Sequence, residues 1–313
     1  PLEERDGKGA LTLHGYDVLH RPLRVWARDG KDQLLTLRER LVYGDAADSG
    51  LTPAQATAAN LLGKPYQHYD EAGLATIESY DFKGNDLEKT QQVVGDAALL
   101  KIFTPPPANW QVQPFRVDWQ PTTGSTLPAH ASTLLDATVY RTSLTYDALN
   151  RVKLMRYPQD VEGKRRELHP RYNRAGALEQ VLVDDKSYVA HIAYNAKGQR
   201  VLIAYGNGVM TRYAYDPKTF RLMRLRTERY TTPTAATYLP TGTPLQDFAY
   251  QYDLVGNITA IGERTPDSGV LNTPLGKDAL DRAFTYDPLY RLLSATGREC
   301  DTPPSSPWLD QPR

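Results

Sequence analysis

The chain has 313 residues, and its 37 Lys/Arg are balanced by 37 Asp/Glu for a formal net charge of zero. It lacks the basic excess that nucleic acid or an anionic membrane surface normally selects, so we expect neither as a partner. The single cysteine, Cys300, makes neither an internal disulfide nor a zinc site, and no apolar run approaches the roughly 18 residues needed to cross a bilayer.

Tyr is abundant (20 against 6 Phe), and 23 Pro and 22 Gly punctuate the chain. That composition favours many short strands joined by tight turns. A mean hydropathy of -0.54 suits a sheet wetted over much of its surface. The chain opens at Pro1 with a charged stretch to Gly9 that has no signal-peptide core, so we expect a soluble internal piece of a longer protein.

In chain order, Leu23, Val25 and Ala27 alternate with Arg24, Trp26 and Arg28, and Leu35, Leu37 and Leu41 alternate with Thr36, Arg38 and Arg40. This period of two predicts strands with one buried and one wetter face. A short helix is predicted from Thr52 to Gly63, with Thr52 as N-cap, Pro53 at the first helical position and Gly63 as the stop. Residues 104–135 hold Pro105, Pro106 and Pro107, then Trp110, Phe115 and Trp119 and a Pro/Thr/Gly/Ser-rich stretch; aromatics at that density predict a loop pinned to the sheet. Residues 231–244 and 264–277 read as polar connections. No boundary cuts the chain, so we expect a single array over residues 1–313 with insertions at about 45–64 and 95–135.

A short motif recurs throughout. Tyr16-Asp17, Tyr69-Asp70, Tyr80-Asp81, Tyr146-Asp147, Tyr172-Asn173, Tyr194-Asn195, Tyr215-Asp216, Tyr252-Asp253 and Tyr286-Asp287 each open it. The fourth residue after the tyrosine is Gly73, Gly84, Asn150, Gly176, Gly198 or Gly256 in six of these nine. The spacing is that of a hairpin with a three-residue loop. Asp or Asn starts it by accepting a backbone N–H two residues on, and Gly or Asn closes it where φ must be positive. His20 and Tyr290 stand at that last position, and the copy at Tyr215 is one residue longer, so another turn geometry is expected at those three. The steps from Tyr172 to Tyr194 and from Tyr194 to Tyr215 are 22 and 21 residues, one strand-turn-strand unit each.

Tyr146-Asp147-Ala148-Leu149-Asn150-Arg151-Val152 and Tyr252-Asp253-Leu254-Val255-Gly256-Asn257-Ile258 closely resemble the YD or RHS repeats of bacterial polymorphic toxins, Tc toxin B and C subunits and animal teneurins. The resemblance covers nearly the whole chain. It implies an all-β, antiparallel hairpin array forming a curved or spiralling strip, secreted or displayed at the cell surface. In toxin members that strip is a shell around a C-terminal toxin or cargo polypeptide. The partners implied are neighbouring repeats of the parent chain and the enclosed cargo. The autoproteolytic aspartate motif of such proteins has no match here, the chain ending at Asp310-Gln311-Pro312-Arg313, so no catalytic residue is carried over.

The residues by themselves offer no competing site. His14, His20, His68, His130, His169 and His191 are dispersed, with no pair at metal-ligand spacing, and there is neither a Gly-x-Ser-x-Gly elbow nor a glycine-rich phosphate loop. The conspicuous aspartates already serve turns. Lys164-Arg165-Arg166 and the series Arg221, Arg224, Arg226 and Arg229 have acidic neighbours in Asp160, Glu162 and Glu228, which predicts a solvated strand face. We therefore expect a non-enzymatic structural segment with no catalytic, cofactor-binding or metal residue and no cofactor. An adhesion module with glycans as partners, and a hydrolase site in the insertions, are the alternatives.

Overall fold

The computed structural model describes residues 2–103, 114–234, 237–269 and 276–297. Pro105, Pro106, Pro107, Trp110, Cys300 and residues 310–313 lie outside them. The described residues form 19 strands with three short α-helices and two 3-10 segments, the all-β hairpin array that the repeats imply. The chain divides into two compact units, Pro1–His169 and Pro170–Arg313.

The first unit contains β1 (Glu3–Arg5), β2 (Leu11–Tyr16), β3 (Pro22–Arg28), β4 (Thr36–Tyr43), β5 (Pro65–Tyr69), β6 (Gly73–Tyr80), β7 (Asp86–Val93), β8 (Tyr140–Tyr146) and β9 (Val152–Gln159). The unit boundary falls on β10 (Arg165–Tyr172). Each of these strands pairs antiparallel with the next one in sequence. The second unit contains β11 (Leu178–Val183), β12 (Lys186–Tyr194), β13 (Arg200–Tyr205), β14 (Val209–Tyr215), β15 (Leu222–Thr231), β16 (Leu239–Tyr252), β17 (Ile258–Glu263), β18 (Arg282–Tyr286) and β19 (Leu292–Ala295). From β11 onward these again pair each with its successor.

The main core of the first unit joins Leu37, Val42, Tyr69 and Val94 of the sheet region to Ala98, Val117, Trp119 and Ala131 of the insertion. The described residues of this stretch, 95–103 and 114–136, include two short helices, α2 (Asp96–Leu99) and α3 (Leu127–Ala131), and a segment carrying Trp119 that packs back on the sheet. Trp119 is fully buried. Its main-chain N–H donates to Leu37 O at 2.9 Å, its indole N–H donates to Asp70 O at 3.0 Å, and its ring meets Tyr69 edge-on. Burial of an aromatic ring with its polar handle satisfied is what pins the insertion. α3 is absent from the sequence reading, although Thr126 accepts the N–H of Ala129 and Pro128 sits in the first turn.

The helix opened by Thr52, the expected N-cap, is α1 (Pro53–Ala58), and a reciprocal capping box with Gln55 completes its first turn. It stops before the expected Gly63, which lies in the turn beyond with φ +72°. The expected alternation along β4 also fails. Trp26 pairs with Leu37 while Val25 pairs with Glu39, so Arg38 is an extra residue. That bulge reverses the side-chain parity and puts Leu37 on one face with Val42 and not with Leu41. Trp26, expected on the wetter face, packs against the core.

Candidate functional site

The repeated feature is the turn. At Asp81, Asp147, Asn195 and Asp287 the opening residue donates its N–H to the carbonyl four residues on, and its own carbonyl accepts from the residue three on. Each side-chain Oδ1 also accepts two main-chain N–H groups: Lys83 and Asn85, Leu149 and Arg151, Lys197 and Gln199, and Leu289 and Arg291. The second carboxylate oxygen takes the side chain that follows the turn, Asn85 Nδ2, Arg151 Nε or Arg291 Nε. Where the opening residue is Asn195, the polarity inverts and its Nδ2 donates to Gln199 Oε1. These bonds hold the aspartates in their charged form, so their carboxyls sit below the ordinary value of 3.8; the leading cause is the Arg151 side chain at Asp147 and the Arg291 N–H at Asp287.

The expected departures at His20 and Tyr290 do not occur. Both residues adopt the left-handed conformation, at φ 60° and 63°, and their turns close with the same bonds as the rest. A local steric cost on the order of 1–2 kcal/mol is outweighed by the bonds that the turn completes. The copy at Asp216 does differ: its N–H reaches Arg221 O, and Phe220 holds the positive φ.

Tyr69-Asp70 is the false member of the series. Its hairpin closes from Asp70 N–H to Gly73 O, and Gly73 is already the first residue of β6. Gly73 has φ +143°, and a Cβ there would lie 2.0 Å from Gln92 O. Two further turns of the repeat geometry, at Asp6 and Asp160, lack a preceding tyrosine and were missed for that reason.

Antiparallel pairing of consecutive strands places the turns after β2, β6 and β8 on one edge of the first unit, and those after β12, β14, β16 and β18 on one edge of the second. In all seven hairpins the register slips by one immediately beyond the tyrosine, leaving Leu23, Leu87, Lys153, Val201, Met223, Thr259 or Leu293 as the extra residue. Side chains of one turn reach the next: Lys83 Nζ donates to Ala148 O, Gln199 Nε2 to Phe220 O and Arg221 Nη2 to Leu254 O.

The tyrosines tie successive hairpins together. Tyr194, Tyr215, Tyr252 and Tyr286 donate their hydroxyls to Leu178 O, Arg200 O, Leu222 O and Ile258 O at 2.7, 3.0, 2.8 and 2.9 Å. Each acceptor is the first strand residue after the preceding repeat turn. Tyr80 does the same to Pro65 O, the first residue after the α1 insertion, and burial pushes its phenol up to about 12. Phe could fill the same space but could not donate, which gives these five positions a reason to be Tyr.

Some members of the basic clusters pair with carboxylates, while Arg165 and Arg221 donate to main-chain carbonyls. Arg166 and Lys164 pair with Asp160 and Glu162. Glu228, however, is not on the expected solvated face: it and Asp247 are 1% and 2% exposed. Arg212 donates through Nε and Nη2 to Glu228 Oε1, and Arg224 donates through Nε and Nη2 to both oxygens of Asp247. Arg226 stands between the two carboxylates, its Nε 3.2 Å from Glu228 and 3.7 Å from Asp247. Four residues of β16, 242–245, stand opposite the single residue Glu228, because Thr227 pairs with Gln246 and Arg229 with Thr241. That wide bulge accompanies the burial of the carboxylate.

Of the histidines, His14, His68, His169 and His191 each lie within 3.3–3.9 Å of a glutamate, and His130 Nε2 meets Asp118 O. No group of three or more His, Cys, Asp or Glu could hold a metal among the described residues. Beside the 95–136 insertion a cavity of about 300 Å³ is bordered by Tyr69, Gln92, Ser132 and Asp136. Hydrogen bonds from Thr138 hold the Asp136 carboxyl below its ordinary value, and burial pushes the Tyr69 phenol up to about 12. Both shifts move the groups away from neutral pH, the opposite of what a hydrolytic acid or base requires.

Hairpins closed by Asp or Asn on one edge and stitched by tyrosine hydroxyls define a YD-repeat strip, and in both sequence and fold the chain is similar to subunits of Tc toxins. It is 30% identical over 287 residues to toxin subunit YenC2 of Yersinia entomophaga and 28% identical over 299 residues to toxin subunit YenC1 of the same organism. Those alignments cover 89% and 91% of the chain but 26% of each relative, so the chain spans about a quarter of their length. The crystal structure of TcdB2-TccC3 superimposes with a TM-score of 0.65 at 26% identity over 95% of this chain and 13% of that one. The Photorhabdus luminescens Tc holotoxin pore gives 0.64 at 25% identity over 95% of this chain and 12% of that one. No family profile matches the chain.

Proposed function

We propose that the chain is a non-catalytic length of RHS wall in a secreted bacterial toxin complex, and that the wall encloses a cargo polypeptide of the parent protein. The reading treats residues 1–313 as one continuous array with insertions at about 45–64 and 95–135. The observation that carries it is the tyrosine stitch: the hairpins opened by Tyr80, Tyr194, Tyr215, Tyr252 and Tyr286 are each bound to the preceding strand pair through a main-chain oxygen, an arrangement that builds a surface. Similarity to toxin subunits YenC1 and YenC2 and to TcdB2-TccC3 supports the toxin setting.

The test is limited proteolysis of the full-length parent protein, with the C-terminal polypeptide followed by mass spectrometry. Enclosure predicts that this polypeptide resists protease in the intact protein and is cut as fast as its isolated form after mild denaturation. Equal cleavage rates in the intact and isolated forms would exclude enclosure.

A further inference from the structure

We propose that the face of the second unit built from Arg212, Arg224 and Arg226 is an oxyanion site, taking a carboxylate or phosphate group. The inference does not depend on the wall reading, because it rests on a side-chain cluster that the hairpin architecture does not require.

Two carboxylates as deeply buried as Glu228 and Asp247 need compensating cations, since an unpaired buried charge is strongly destabilising. Arg212 and Arg224 already supply one each, both through Nε and Nη2. Three guanidiniums against two carboxylates leave a surplus of one positive charge, and Arg226 carries it. Its Nε is buried and close to both carboxylates yet completes no hydrogen bond. It is held by attraction and not spent on a donor–acceptor pair.

Each guanidinium has five N–H donors. After the bonds to Glu228 and Asp247, the Nη1 groups of Arg212 and Arg224 and both terminal nitrogens of Arg226 have no hydrogen-bond acceptor among the described residues. All three arginines border one open cavity of about 310 Å³, together with Val201, Tyr213 and Ala214. That space suits a small oxyanion or the end of an acidic side chain.

The carboxylates beneath fix two of the forks before any ligand arrives, which lowers the ordering cost of binding. Planar guanidinium forks match the two oxygens of a carboxylate and the edge of a phosphate equally well, so that shared chemistry defines the ligand class.

The experiment is calorimetric titration of the chain at low ionic strength with inorganic phosphate and, separately, with N-acetylated tetraglutamate. The expected result is saturable one-site binding. Arg226→Gln should weaken it by about tenfold or more, the loss of one charge-assisted contact. Arg226→Lys keeps the charge without the fork and should weaken it by a smaller factor, roughly threefold. Arg156→Gln removes an exposed arginine of the first unit that pairs with Glu167 and should leave it unchanged.

Binding of both probes with this variant dependence identifies a polypeptide carboxylate as an acceptable ligand. Binding of phosphate alone identifies a free anion. Saturable binding of neither probe overturns the proposal, as does an equal loss in Arg156→Gln. Should Arg226→Gln not fold, undiminished affinity in Arg226→Lys overturns it instead.

Discussion

Tyr194 shows how much one hydroxyl does. Its ring lies in a strand, where any aromatic would serve, but its O–H donates to Leu178 O at 2.7 Å across to the previous hairpin. Tyr194→Phe keeps the ring and leaves that carbonyl without its donor, so the chain should lose about 1 kcal/mol of stability. Urea denaturation of the variant beside the parent chain reads this directly, and an unchanged midpoint would show that the stitch contributes nothing. The tyrosine's position in the motif was legible in the sequence, whereas its partner was not: the acceptor is a main-chain oxygen 16 residues earlier, and no residue type marks it. His20 and Tyr290 show the reverse limit. Side-chain preference argued against their left-handed conformation, and the bonds of the whole turn overruled it.

Among elements, the 95–136 insertion depends most on a single side chain. Trp119 is 0% exposed and joins the insertion to β4, to Tyr69 and to the Asp70 turn. Trp119→Ala should cost roughly 3–5 kcal/mol and should expose the segment around α3 to protease before the strands of the unit are cut. Mass spectrometry of early fragments checks the order. Aromatic density in the sequence did announce a pinned loop, but α3 was hidden because its Thr126 and Pro128 sit in a stretch whose composition reads as turn. Tyr69-Asp70 was misread for want of a count. The 11-residue step from Tyr69 to Tyr80 accommodates one strand and a turn, so the two turns must face opposite edges, while steps of 22 and 21 residues return the chain to the same edge. The slip at Arg38 had no sequence signal, since a bulge is a choice of register between two strands.

For the whole molecule, the turn aspartates act together. The carboxyls of Asp17, Asp81, Asp147, Asp160, Asp216, Asp253 and Asp287 all lie below the ordinary value of 3.8. The leading cause is the Asn85 side chain at Asp81, and the main-chain N–H groups of Lys164 and Thr219 at Asp160 and Asp216. At Asp17 and Asp253 partial desolvation opposes the shift and the hydrogen bonds prevail. The folded chain therefore binds these protons less readily than the unfolded chain does. Their contribution is complete above the unfolded value and is lost as pH falls through the folded ones. Thermal midpoints should be level from neutral pH to about 5 and decline below about 4. A midpoint that stays level down to pH 3 would contradict this account.

The tyrosine stitch also bears on how such a chain changes over generations. A carbonyl oxygen is the one acceptor that no substitution can delete, so a hairpin never has to recognise which sequence precedes it. Duplication, loss or exchange of a hairpin by recombination leaves a working junction wherever the tyrosine and its turn arrive together. Strand residues are free to drift, and the insertion that ends at Pro65 shows that even the preceding turn can be replaced while Tyr80 still finds its oxygen.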